Sequence, residues 1–165
     1  MEFVCKAAGT ICVVGAAWSY ARVRADEFEM RLSQLMQLYS ILLQLKSELK
    51  YMNSTLPECF ASLAKHVNAP FDEWLLCMSH EMENERNKCF ADIWSDKLTV
   101  LQENSSLWKS DVKLLAELKD KLGNQDVEAS VKAIDYILIR MEEDRELLKN
   151  ELQQKKKVIL SLRLF

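Results

Sequence analysis

Thirty-six residues pass between Val127 and Leu162 without a glycine or a proline. Within them, positions 127, 131, 134, 138, 141, 145, 148, 152, 155, 159 and 162 advance by four and three in turn. All of these are apolar except Arg145 and Lys155. Such spacing places one apolar face along a helix, and a strand cannot use it, because strand side chains repeat every two residues. A helix of this stripe reaches ~53 Å and cannot bury its face alone.

A second stripe supplies the partner. Phe28, Leu32, Leu35, Tyr39, Leu42, Leu45, Leu49 and Met52 keep nearly the same alternation in a stretch free of Gly and Pro from Arg22 onward. It reaches ~36 Å. Leu38, Ile41 and Leu43 widen it beyond a two-helix seam, so it packs on more than one neighbour. Paired antiparallel, the first stripe leads outward and the last leads back. Only three Gly and two Pro occur in 165 residues, which leaves little turn material for sheets.

Between the stripes the chain marks short helices. Thr55-Leu56-Pro57-Glu58 reads as a helix start, with Thr55 as cap, Glu58 three residues on, and Pro57 in the first turn, where no amide is missed. Phe60, Leu63, Ala64 and Val67 follow before Asn68-Ala69-Pro70 breaks the pattern. Trp74, Leu75, Met78 and Met82 form the next inward face, and Phe90, Ile93, Trp94, Leu98 and Leu101 another. Whether those two are one bent helix is left open. A fifth helix through Val112, Leu115, Leu118 and Leu122 stops at Gly123, which suits a left-handed cap.

Phe3–Ala21 is the one run apolar enough to enter a bilayer. Nineteen helical residues reach roughly 28 Å, close to a hydrocarbon core. Lys6, Trp18, Arg22 and Arg24 are its anchoring side chains. A cleaved leader and a buried core helix are the competing readings, but no A-x-A site precedes a mature start, and Arg-Val-Arg follows the run. Arg22, Arg24 and Arg31 lie downstream, which places the remainder in the cytoplasm. Lys155, Lys156 and Lys157, carried back by the last helix, form a basic cluster at the membrane surface. The reading is all-α: an N-terminal membrane helix over 1–21, then over 22–165 an antiparallel helical bundle with two long helices and three or four short ones.

Catalytic chemistry finds little footing. No Gly-rich phosphate loop, H-E-x-x-H or G-x-S-x-G is present. Cys77, His80, Cys89 and His66 match no common zinc spacing. Glu81, Glu83 and Glu85 alternate by two and so spread around a solvated helix face. Trp74, Trp94 and Trp108 read as core anchors. A net charge of -3 gives no basic field for nucleic acid. Five cysteines at irregular spacing do not form a disulfide framework. No enzyme, cofactor, metal, nucleic acid or small-molecule substrate is expected.

The runs SELKYMNSTLPECFASLAKHV, Ile93-Trp94-Ser95-Asp96-Lys97-Leu98 and LKDKLGNQDVEASVKAI resemble stage III sporulation protein AB of endospore-forming bacteria. Glu48, Tyr51, Leu56, Pro57, Glu58, Leu63 and Ala64 fall on that family's E-x-x-Y…P-L-P-E-A-L-x-x-L-A stretch. Leu122, Gly123 and Asp126 fall on its L-G-x-x-D. Thr55 stands where a first proline is frequent, and Ser130 where glutamine is. The family usually closes with L-G and a second apolar span, whereas Arg163 lies inside the short apolar run that ends at Phe165.

The resemblance implies a membrane component of the sporulation channel between mother cell and forespore. It implies a cytoplasmic domain similar to those of the inner-membrane platform proteins of type II secretion and type IV pilus systems. Such platforms bind a cytoplasmic ATPase and membrane partners. The competing expectation is a generic signal-anchored helical or coiled-coil interaction protein without a secretion role.

Overall fold

The computed structural model describes residues 2–52, 54–85, 87–123 and 126–162, with backbone alone at 2–14, 18, 21, 25, 159 and 162. The described residues form seven helices and no strand. They are α1 (Glu2–Tyr51), α2 (Leu56–Ala64), α3 (Phe71–Asn84), α4 (Phe90–Asn104), α5 (Lys109–Ala116), α6 (Lys119–Leu122) and α7 (Val127–Leu162). The expected all-α architecture holds, and the expected stripe helix is continuous with the N-terminal run. The question of one bent helix over 71–102 resolves into two, α3 and α4. The expected single helix ending at Gly123 is broken after Ala116 into α5 and the one-turn α6.

α1 and α7 pack along each other, antiparallel. Lys46 pairs with Asp135 at 2.5 Å and Glu29 with Lys156 at 2.5 Å, so numbers rise on one helix as they fall on the other. The two cations that interrupt the α7 stripe are explained by aromatics on α1. The Arg145 guanidinium lies over the Tyr39 ring at 5.1 Å, and the Lys155 ammonium over Phe28 at 3.5 Å. Long stems pack on the seam while their charges meet ring faces. Leu35, Leu38, Ile41, Leu42 and Leu45 are buried on α1, and Ile134, Ile137, Leu138, Met141 and Leu148 on α7.

α2 to α6 form a head on this pair. α2 packs on α1 and α3, α4 on α3, and α5 and α6 return the chain to α7. Trp94 is the head's centre: Phe60, Trp74 and Phe90 surround it at centroid distances of 6.3, 5.4 and 5.5 Å. Its indole N–H donates to the Leu115 carbonyl at 3.0 Å, so burial leaves that donor satisfied. Trp74 is buried as expected, but Trp108 is 49% exposed and is no core anchor.

Three α1 side chains fasten it to the head's outer segments. Gln37 Nε2 donates to the Asn68 carbonyl at 3.3 Å, and Gln34 Oε1 accepts from Ser106 N–H at 2.7 Å. Arg31 reaches Asp111, Nε to Oδ2 at 2.9 Å and Nη2 to Oδ1 at 2.7 Å. Arg31 therefore does not serve as a surface charge beside Arg22 and Arg24. It is buried, and it holds α5 against α1.

The membrane-helix expectation falls mostly on side chains outside the description, among them Lys6 and Trp18. Among the described residues, no helix is long and apolar enough to cross a membrane.

Candidate functional site

The residues that carry the family resemblance gather at one end of the α1–α7 pair, remote from Glu2. The last turns of α1, the start of α2, the end of α6 and the start of α7 lie there, because α7 begins where α1 ends. Most of these residues hold that end together.

The Thr55–Glu58 box forms as its spacing predicts. Thr55 N–H donates to Glu58 Oε2 at 2.8 Å, and Pro57 sits in the first turn of α2. This bond favours the ionised form, so the Glu58 carboxyl titrates below its ordinary value. Glu48 Oε1 accepts from the Ser62 hydroxyl at 3.3 Å, which ties α1 to α2. Cys59 lies beneath them with no exposed surface. Burial first, and Glu48 second, push its thiol up to about 12.

Gly123 overturns its expected role. Its backbone is right-handed, φ −78° and ψ −6°, so no left-handed cap is made. The residue is needed for space. A Cβ there would stand 2.9 Å from both Cβ and Cδ1 of Phe90. Leu122 beside it is buried. Asp126 caps α7, its Oδ1 accepting from Ala129 N–H at 3.1 Å. Ser130 is buried with its hydroxyl 2.8 Å from the Lys121 carbonyl and 3.0 Å from that of Asp126. Only one of them can take its proton at a time.

Tyr51 is different. It is 73% exposed on the last residue of α1, with only the Lys50 ammonium over its ring at 5.2 Å. Met52 beside it is 68% exposed. Among the motif positions, Glu48, Glu58, Leu122, Gly123 and Asp126 have sufficient work inside the fold. Tyr51 presents an aromatic ring to solvent, and aromatics and Met are enriched in interface cores.

The remaining sequence candidates are scattered. Cys77, Cys89, His66 and His80 are exposed, and Cys89 Sγ donates to Asp92 Oδ2 at 3.0 Å. No group of three or more metal-binding side chains comes together among the described residues. Glu81 pairs with Lys97 and Glu85 with Lys88. Arg22 and Arg24 are exposed on α1, and Arg24 pairs with Glu27 at 3.2 Å. In the basic cluster, Lys155 is turned onto Phe28 and Lys156 onto Glu29, while Lys157 is exposed.

Sequence reasoning missed the Arg31–Asp111 pair. Its signals were a cation on the α1 stripe, three residues after Phe28, and an acid three residues after a helix-capping position. Trp108 N–H donates to Asp111 Oδ2 at 2.7 Å, completing that cap.

The family profile described as stage III sporulation protein AB matches residues 6–165. A solved structure described as stage III sporulation protein AB superposes with a TM-score of 0.68 at 22% identity, over 75% of this chain and 97% of that one. At that identity the likeness is one of fold. No curated protein matches.

Proposed function

The chain belongs to the stage III sporulation protein AB family, and from that premise we propose that it is a non-enzymatic assembly protein of the sporulation channel. In this reading Phe3–Ala21 anchors it in the mother-cell membrane, the helical head lies in the cytoplasm, and the head recruits a cytoplasmic ATPase and membrane partners of the channel.

The observation that carries the reading is the continuity of α1. One helix of 50 residues joins the apolar run to Tyr51. At 1.5 Å per residue it spans ~75 Å, so the tip stands far from a membrane that holds the other end. α7 packed alongside stiffens it. A head fixed at that distance offers its end to a cytoplasmic partner. Tyr51 and Met52 are exposed there.

The test is capture of the neighbouring sporulation ATPase by the full chain in detergent or vesicles, with Tyr51→Ala and Met52→Ala beside the parent. The reading expects capture by the parent and a loss of at least tenfold in the variants, with unfolding unchanged. A folded parent chain that captures no ATPase sinks the platform role and leaves the generic anchored interaction protein.

A further inference from the structure

At the opposite end, a groove of about 730 Å³ opens between α1, α7 and the start of α5. Tyr20, Arg24 and Phe28 line it from α1, Lys155 and Val158 from α7, and Trp108 caps it from α5. Its volume falls in the range of sites that hold small organic molecules.

Its walls are apolar and its rim is cationic. Tyr20, Trp108 and Val158 are 63%, 49% and 58% exposed, so the groove is bare. Trp108 is held in place: it and Phe28 form a T-shaped pair with ring centroids 5.5 Å apart, and the Arg31 guanidinium lies over its ring at 3.7 Å. Arg24 Nε donates to the Tyr20 hydroxyl at 3.1 Å, and the Lys155 ammonium sits over Phe28. Residues 20–29 and 154–158 carry five basic side chains against three acidic ones, in a chain whose net charge is -3. Glu27 and Glu29 each face one of those cations, Arg24 and Lys156. Among the described residues, Lys155 has no carboxylate partner of this kind.

Location narrows the occupant. Tyr20 is the penultimate residue of the apolar run, and Phe28 lies only two helical turns beyond it, ~12 Å along α1. Aromatic rings with basic neighbours at that depth are the chemistry of a bilayer's headgroup layer. We propose that this groove seats an anionic phospholipid of the membrane that holds Phe3–Ala21. Its phosphate lies against Arg24 and Lys155, and its glycerol and upper acyl chain lie against Tyr20, Trp108 and Val158. The proposal rests on the membrane anchoring described above. It adds that the bound lipid is selected by charge and that it fixes α5 and α7 at the stem.

The test places the full chain in phosphatidylcholine vesicles with or without phosphatidylglycerol, the bromine-labelled acyl chains carried by one lipid or the other. Trp18 lies within the span and reports anchoring by itself, since either brominated lipid quenches it. The Trp108 share of the emission is read by difference from Trp108→Phe, with circular dichroism confirming the fold. Brominated phosphatidylglycerol is expected to quench that share selectively. Arg24→Gln, at an exposed position, and Lys155→Gln, at a half-buried one, are each expected to weaken the selectivity about fivefold. Equal quenching of Trp108 by both lipids, with Trp18 quenched normally, overturns the lipid site and leaves the anchor standing. So does selectivity that survives both Gln variants. A Trp18 that neither lipid quenches overturns the anchor, and the lipid site with it.

Discussion

Arg31 and Asp111, eighty residues apart in the chain, meet in a pair of hydrogen bonds of 2.9 and 2.7 Å with side chains only 7% and 2% exposed. Both charges are compensated on several sides. Trp108 covers the guanidinium face, and Asp111 also accepts the Trp108 amide. Desolvation is costly for such a pair, and removing one partner strands the other charge in the interior. Asp111→Ala is therefore expected to cost about 3–5 kcal/mol in urea unfolding. The double replacement Arg31→Met with Asp111→Leu is expected to recover most of it, because it removes the stranded charge along with the pair.

Gly123 allows a test by sign. At a right-handed backbone site with open space, Gly→Ala stabilises by about 0.4–1 kcal/mol, because the unfolded chain loses freedom. Here the added methyl meets Phe90 Cβ and Cδ1 at 2.9 Å, and the Cβ is no flexible end that can swing aside. Gly123→Ala is expected to destabilise by about 1–3 kcal/mol, as overpacking does. In a Phe90→Gly background, which removes Cβ and Cδ1 together, the same change is expected to cost clearly less, which a double-mutant cycle by chemical unfolding reads directly.

Ser130 ties the end of α6 to the start of α7 from inside. Its hydroxyl reaches the Lys121 and Asp126 carbonyls while the side chain is 2% exposed. Ser130→Ala keeps the volume nearly unchanged and removes the donor. The expected loss is about 1 kcal/mol, measured by thermal or urea unfolding. A change indistinguishable from zero would mean that α6 is held to α7 without this hydroxyl.

What the sequence made legible follows from the range of the forces involved. The α1 and α7 stripes are periodic over many turns, so their pairing could be read before any contact was known. The Thr55–Glu58 box is a contact across three residues and was equally visible. Gly123 reads from sequence as a left-handed cap, because a glycine at a helix end usually supplies one. Its real constraint is Phe90, more than thirty residues away. Trp108 was assigned to the core by hydrophobicity, yet it caps α5 at the surface beside Arg31. The Arg31–Asp111 pair depends on α5 swinging back onto α1, which local pattern does not encode. The break between α5 and α6 interrupts a stretch whose apolar positions still read as one stripe. The motif positions fall together at one end of the molecule. Only side-chain exposure separated Tyr51 from neighbours whose work is internal.

The capping carboxylate gives an acid-limb prediction. Thr55 N–H holds the Glu58 carboxyl below its ordinary value. The unfolded chain binds that proton more readily, so the contribution is present above the unfolded pKa and is lost as pH falls through the folded one. Glu58→Gln keeps an acceptor but cannot titrate. Thermal unfolding between neutral pH and about pH 3 is expected to show a smaller acid-induced drop in the variant than in the parent. Parallel curves would show that the box is insensitive to its charge.

Cys59 shifts in the opposite direction and governs the alkaline limb. Its thiol is fully buried, and burial with Glu48 nearby pushes it up to about 12. In the unfolded chain a thiol ionises near ~8.5. The folded state thus keeps a proton that the unfolded state has released. Stability is complete below the unfolded value and declines as pH rises from there toward about 12. Cys59→Ala removes this term, so its unfolding free energy is expected to change less between pH 8 and pH 10 than the parent's, despite a lower value at neutral pH from the lost volume. The same burial governs reactivity, since the thiolate is the nucleophile. Iodoacetamide at pH 8 is expected to label exposed Cys77 and Cys89 while sparing Cys59. Peptide mapping by mass spectrometry distinguishes the three. Cys59 becomes reactive only at urea concentrations that unfold the head. Labelling of Cys59 as fast as Cys77 in buffer alone would show that the α1–α2 contact over it opens freely at neutral pH.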